Sequence, residues 1–316
     1  MRRILAFGLL VALVVPLQAA AAGHVQTLIS FDPATEHPEG LAVSKTGDIL
    51  LSMTSTGELR KISPDGTQST LATLPAVPGF GPLGLAVDAP GNVYAAVVTN
   101  DPATHGVYRV APDGGFTRLP GTAAIEFPNG VALDKRGNLY VTDTVGAAVW
   151  RIPRGGEAEP WAEHELLAGD RSFGFPFPIG ANGIAYDHGS LVVAVSEGAR
   201  LVRIPILPDG SAGDVEVLAE HGLLYGADGL ALDVHGNVYV AVIVQSSVVR
   251  VSGGGGPPEV LATAANGLDF TSSLAFGTGM GERKAAFLVN FAIGPPGGAG
   301  PALLRMNVGV PGAPQP

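Results

Sequence analysis

The chain has 316 residues, no cysteine and a formal net charge of −10 at pH 7. Without Cys there is neither a disulfide framework nor a thiolate nucleophile, and an acidic chain with no Lys/Arg cluster beyond its first residues is a poor partner for nucleic acid or an anionic membrane surface. Its 45 glycines, 26 prolines and few aromatics favour many tight turns between short strands over a helical protein.

In chain order, Met1-Arg2-Arg3, an apolar run over 4–17 and four alanines at 19–22 read as a charged start, an apolar middle and a small-residue cleavage site. Residues 1–22 are therefore expected to be a signal peptide that exports the protein to the periplasm or the exterior. No later stretch reaches about 18 apolar residues free of Gly, Pro or charge, so no membrane insertion is expected.

From residue 38 one phrase recurs: PEGLAVSKTGDILLSM, PLGLAVDAPGNVYAAV, PNGVALDKRGNLYVTD, ANGIAYDHGSLVVAV, ADGLALDVHGNVYVAV and the degenerate TSSLAFGTGMGERKAAFLVN. With Gly40, Gly84, Gly130, Gly183, Gly229 and Ser273 equivalent, the intervals are 44, 46, 53, 46 and 44 residues. A period in the forties with four strand signals per unit predicts an all-β fold, a six-bladed β-propeller, as one domain over 23–310 with a flexible tail at 311–316. In the first copy the four strands are expected at 41–44, 49–53, 58–62 and 69–73. The sixth copy is one strand short, and residues 25–31 (VQTLISF) have nothing of their own to pair with, so the N-terminal strand is expected to close the last blade.

Blade topology sorts the polar residues. Asp88, Asp134, Asp187, Asp233, His188 and His235 fall in or beside the first hairpin of each copy and read as turn formers. On the opposite face, the residue leading each innermost strand varies: Glu39, Leu83, Asn129, Asn182, Asp228 and Ser272. Asn-Gly and Asp-Gly are ordinary turn dipeptides taken singly. Two carboxylates and two amides at symmetry-related positions instead make a hard, all-oxygen site for one divalent cation, Ca²⁺ fitting best with Mg²⁺, Mn²⁺ and Zn²⁺ as alternatives. His37, His105 and Asp143 are further polar residues of this face. The insert over 168–181 adds Phe173, Phe175 and Phe177 there and suggests an apolar pocket.

At these residues the chain resembles the family of six-bladed propeller lactonases that includes senescence marker protein, gluconolactonase and luciferin-regenerating enzyme. The resemblance implies Glu39, Asn182 and Asp228 as ligands of the catalytic cation, Asn129 beside metal and substrate, and Asp228 as ligand and proton acceptor together. Thr271-Ser272-Ser273-Leu274-Ala275-Phe276-Gly277 also looks like the family's last inner strand. The chain departs from the family at Gly40-Leu41-Ala42 after the Glu, and at Phe127, where sugar-lactone enzymes of the family can carry Arg. Joined to the export signal, the resemblance implies an exported metal-dependent hydrolase acting on a small lactone or ester. Besides Asn129, Phe127 and His37 are expected to touch substrate, His37 as the side chain suited to proton transfer near neutral pH, and the protein is expected to be a monomer. There is no Gly-x-Ser-x-Gly elbow to support a covalent route. Two other readings stand beside it: a non-catalytic NHL-like ligand-binding propeller, and a metal-dependent lyase with His37 or His105 as base.

Overall fold

The computed structural model describes residues 24–294 and 297–314. The segment expected to be a signal peptide lies outside them.

Twenty-four strands form six four-stranded antiparallel sheets, and five of these are consecutive in sequence. The first blade comprises Pro38–Val43, Ile49–Met53, Glu58–Ile62 and Gln68–Thr73. The sixth joins Thr271–Phe276, Ala285–Asn290 and Ala302–Asn307 to the N-terminal strand Val25–Ser30, which pairs antiparallel with Ala302–Asn307 on the outer edge. Closure by the N-terminal strand is thus as expected: the first and last segments of the ring share one sheet, and the sixth blade has four strands like the others.

The innermost strand of the first blade begins at Pro38, three residues earlier than the alternation suggests. The reason is a β-bulge. Each inner pair breaks register at the leading residue, between Pro38 and Leu41, Pro82 and Leu85, Pro128 and Val131, Ala181 and Ile184, Ala227 and Leu230, and Thr271 and Ser273. A bulge interrupts the period-two pattern read from sequence and re-aims the side chain it contains. All six leading residues therefore sit in a bulge at the same height on the ring.

The repeated glycine is a consequence of this geometry. A Cβ at Gly40 would stand 2.2 Å from the Leu83 carbonyl oxygen, one at Gly130 2.4 Å from that of Asn182, and one at Gly183 2.2 Å from that of Asp228. Only a residue without a side chain lets neighbouring inner strands approach so closely around the axis. Buried hydroxyls then bind blade to blade: Ser52 Oγ donates to Leu83 O (2.7 Å), Thr142 Oγ1 to Asn182 O (2.6 Å), Ser196 Oγ to Ala227 O (2.6 Å) and Ser272 Oγ to Glu39 O (2.7 Å).

Apolar faces packed between blades make up the core. Leu41, Val43, Ile49 and Leu51 of the first blade meet Phe287, Val289 and Leu303 of the sixth, so ring closure buries a cluster as apolar as any other inter-blade seam. Each such side chain contributes about 1.5–3 kcal/mol. On the far face the turn aspartates act as expected. Asp134 Oδ1 accepts the backbone N–H groups of Arg136 and Asn138, and its Oδ2 accepts the Asn138 amide; Asp233 repeats the pattern with His235 and Asn237. Asp187 instead engages His188 and Arg203.

Residues 311–313, which the sequence assigns to a flexible tail, are held in place. Pro311 O accepts the Val234 N–H, Gly312 N–H donates to Arg283 O, and Ala313 N–H donates to Leu232 O. Ala313 and Pro314 border the lower end of the channel, a space of about 170 Å³ between the apolar inner strands. Residues 315 and 316 lie outside the described residues.

Candidate functional site

On the upper face a cavity of about 510 Å³ opens above the inner-strand bulges. Its floor carries Glu39, Asn129, Asn182 and Asp228, and its walls include His37 and Phe127, so all six residues expected at the site line one space. A smaller cavity of about 60 Å³ continues down the axis between the same four floor residues. All four are buried, at 5–7% exposure.

The amides are held by hydroxyls. Asn129 Nδ2 donates to Thr144 Oγ1 (3.2 Å) and Asn182 Nδ2 to Ser196 Oγ (3.1 Å), while those hydroxyls donate onward to Ala181 O and Ala227 O of the next blade. Committing the nitrogens leaves each amide oxygen as the acceptor or ligand atom.

The two acids are strained electrostatically. Burial alone pushes the Glu39 carboxyl up to about 8. Asp228 is raised well above the carboxylate range by burial first and then by the charge of Glu39, against the opposing hydrogen bonds of Asn182 and the Gly229 N–H. Glu39 Oε2 is the one buried side-chain oxygen or nitrogen among the described residues with no hydrogen-bond partner. Burying a carboxylate oxygen without a partner is costly. A divalent cation would supply the missing partner and match two carboxylates in charge. Among the described residues no three His, Cys, Asp or Glu side chains gather as ligands. A cation here would rest on two carboxylates completed by amide oxygens, an all-oxygen set that suits a hard ion.

Other expected residues fall differently. His37 lines the cavity, and its Nδ1 faces the Phe291 carbonyl oxygen at 3.2 Å, a contact in which Nδ1 donates and Nε2 is left as the free ring nitrogen. His105 does not reach the cavity: it is buried, with Nε2 2.8 Å from Ile125 O and Nδ1 against the Thr99 backbone, so it braces a loop and cannot serve as a base. Asp143 also works on backbone, accepting from the N–H groups of Glu126 (2.9 Å) and Phe127 (3.0 Å), and so positions Phe127.

One residue escaped the sequence reading. Glu197, 4% exposed, accepts four backbone N–H groups of the insert: Asp170, Arg171 and Ile179 at Oε2 (2.8, 2.7 and 2.9 Å) and Phe173 at Oε1 (3.0 Å). It organises the loop 168–180 that carries the aromatic wall. The available signal was an acidic residue just beyond a second strand, Ser190–Val195, that is apolar after its first residue, in the blade that follows the longest interval between repeats. Phe270 adds a second constraint: it holds a left-handed backbone (φ 46°), a conformation costing about 1 kcal/mol, with its N–H donated to Ser246 Oγ.

No protein-family model and no curated protein matches the chain. Solved structures do. A luciferin-regenerating enzyme superposes with a TM-score of 0.67 at 14% identity, covering 92% of this chain and 97% of that one. A gluconolactonase from Xanthomonas campestris gives 0.64 at 19% identity, covering 92% of each chain. Regucalcin from Agrobacterium tumefaciens, described as a calcium-binding protein, gives 0.63 at 17% identity, covering 89% and 93%. By fold, then, the chain is similar to the gluconolactonase, luciferin-regenerating enzyme and regucalcin propellers, at identities that establish the six-bladed architecture.

Proposed function

We propose that the protein is an exported, metal-dependent hydrolase of a lactone or ester, with Glu39, Asn182, Asp228 and Asn129 holding one divalent cation, Ca²⁺ being the best match. The single observation that carries this reading is the unpartnered, buried Glu39 Oε2 beside a second buried acid at the floor of a ligand-sized cavity. The fold shared with a gluconolactonase and a calcium-binding regucalcin supports it.

A bound divalent ion polarises a carbonyl oxygen and makes a neighbouring water more acidic. The chain's own residues supply the rest. Asp228, whose carboxyl sits high while the site is metal-free, is the proton acceptor at the edge of the ring. Asn129, its nitrogen tied to Thr144, presents an oxygen to substrate or ion. His37 Nε2 and the Phe127 ring border the substrate, and the aromatic walls keep bulk water away from the reacting bond.

The test is metal analysis of the purified protein, paired with a hydrolysis screen over lactones and aryl esters with and without chelator. Stoichiometric Ca²⁺ with chelator-sensitive turnover is expected. A ligand held in the cavity without any turnover would make the protein a binding propeller. Elimination products in place of hydrolysis would make it a lyase with His37 as base.

A further inference from the structure

Of the 22 described residues that line the cavity, three are titratable, His37, Glu39 and Asp228, and none is Lys or Arg. Above the polar floor the walls are aromatic and aliphatic, drawn from loops of several blades: Phe80 ahead of the second, Phe127 ahead of the third, Phe175 and Phe177 from the insert, and Phe270 and Phe291 from the sixth. The rings form a continuous row. Phe80 meets Phe127 edge to face at 5.9 Å, Phe127 tilts against Phe177 at 5.7 Å, and Phe177 stacks on Phe175 at 5.9 Å.

We infer that the site takes lactones bearing a bulky, uncharged apolar substituent in preference to sugar lactones. The inference rests on the hydrolase reading proposed for this site and names its substrate class.

Three features carry it. First, the wall has little to offer hydroxyls: its Thr54 and Ser55 hydroxyls already donate to Pro82 O and Thr35 O, and the rest of it apart from His37 is apolar, so a polyhydroxylated ring entering it would leave water-bonded groups short of partners, which disfavours binding. Nor, among the described residues, does the wall hold a Lys or Arg for a sugar-acid carboxylate to pair with. Second, the wall is preformed. Glu197 fixes the insert through four backbone N–H groups, Asp143 fixes Phe127 through its own, and Phe173 is locked edge to face on Tyr225 at 5.0 Å. A rigid apolar wall loses little entropy when it is covered. Third, the rim leaves apolar surface in water, with Phe175 at 52% and Ile293 at 53% exposure. Clustered exposure of this kind beside a cavity marks a ligand site.

The test compares three lactones and one inert ligand on the full metal-loaded protein. γ-Undecalactone carries a heptyl chain, γ-butyrolactone has no substituent, and glucono-δ-lactone carries hydroxyls; 3-heptylcyclopentanone copies the first with a methylene in place of the ring oxygen and so without a hydrolysable bond. The expected order of kcat/KM is γ-undecalactone above γ-butyrolactone by about 10- to 100-fold, with glucono-δ-lactone last. The ketone should bind about 10- to 100-fold more tightly than cyclopentanone by calorimetry. Phe177→Ala should shrink both ratios to a few-fold; Phe175→Ala, at a half-exposed position, gives the same direction should the first variant fold poorly. Chelator-sensitive turnover with no preference among the lactones, or with glucono-δ-lactone preferred, overturns the substrate class and leaves the hydrolase reading standing. Ketone binding that is lost in the Phe variants, with no lactone turned over, supports apolar recognition and removes the hydrolase reading.

Discussion

The charge of Glu39 raises the carboxyl of Asp228 beyond what burial does, although the two residues come from the first and fifth blades and lie 189 positions apart in sequence. Two buried acids so coupled do not readily ionise together unless a positive charge joins them.

This predicts the pH dependence of the metal-free protein. The Glu39 carboxyl sits near 8 in the fold, against a usual value close to 4.5, so the folded state binds more protons than the unfolded chain between those limits. Stability is fully present below the unfolded value and is lost as pH rises through the folded one. The melting temperature of chelated protein should fall by several degrees from pH 5 to about 8.5, and Ca²⁺ should raise it most at the alkaline end. A flat profile in chelator, unchanged in Glu39→Gln, would remove Glu39 from the site.

Asp228→Asn keeps size and one ligating oxygen while removing the proton acceptor. Hydrolysis should fall by about 10²–10⁴ with far-UV circular dichroism unchanged. Metal binding weakens, yet excess Ca²⁺ should not restore the rate. Full rescue by metal would reduce Asp228 to a ligand.

Glu197→Gln tests the anchoring of the insert. The Gln amide can keep its oxygen toward the three N–H groups at Oε2 only by turning its NH2 donor against the Phe173 N–H, at a cost of about 1–3 kcal/mol locally. Trypsin should then cut faster after Arg171, and KM for apolar substrates should rise with kcat little changed. Cleavage and KM both at the parent level would leave Glu197 without a positioning role.

Deleting residues 24–30 strips the outer strand from the sixth blade and bares the edge of Ala302–Asn307. The expected loss is about 3–6 kcal/mol in denaturant unfolding, with concentration-dependent association through the exposed edge. Unchanged stability would show that the other three strands close the ring alone.

The repeat was legible because a blade is a local unit: its turns, alternation and glycine recur at one period whatever the rest of the chain does. The six leading residues were legible for the same reason, since equivalence in the repeat implies equivalence around the axis. His105 shows where such reasoning stops. Face assignment put it on the functional side, but whether a loop histidine points at the cavity or into its own backbone depends on side-chain packing that no period encodes. Glu197 was missed for the complementary reason, because its partners are backbone N–H groups of a non-repeating insert, and these leave no mark on residue identity. The sequence alone therefore determined the architecture, the closing strand and the candidate ring. Tertiary structure alone decided the bulges that aim the ring inward, the burial that raises its two acids, and the anchored aromatic wall above them, because strand register, the approach of the first and fifth blades, and side-chain contacts with backbone N–H groups are set by packing and leave no periodic mark in the chain.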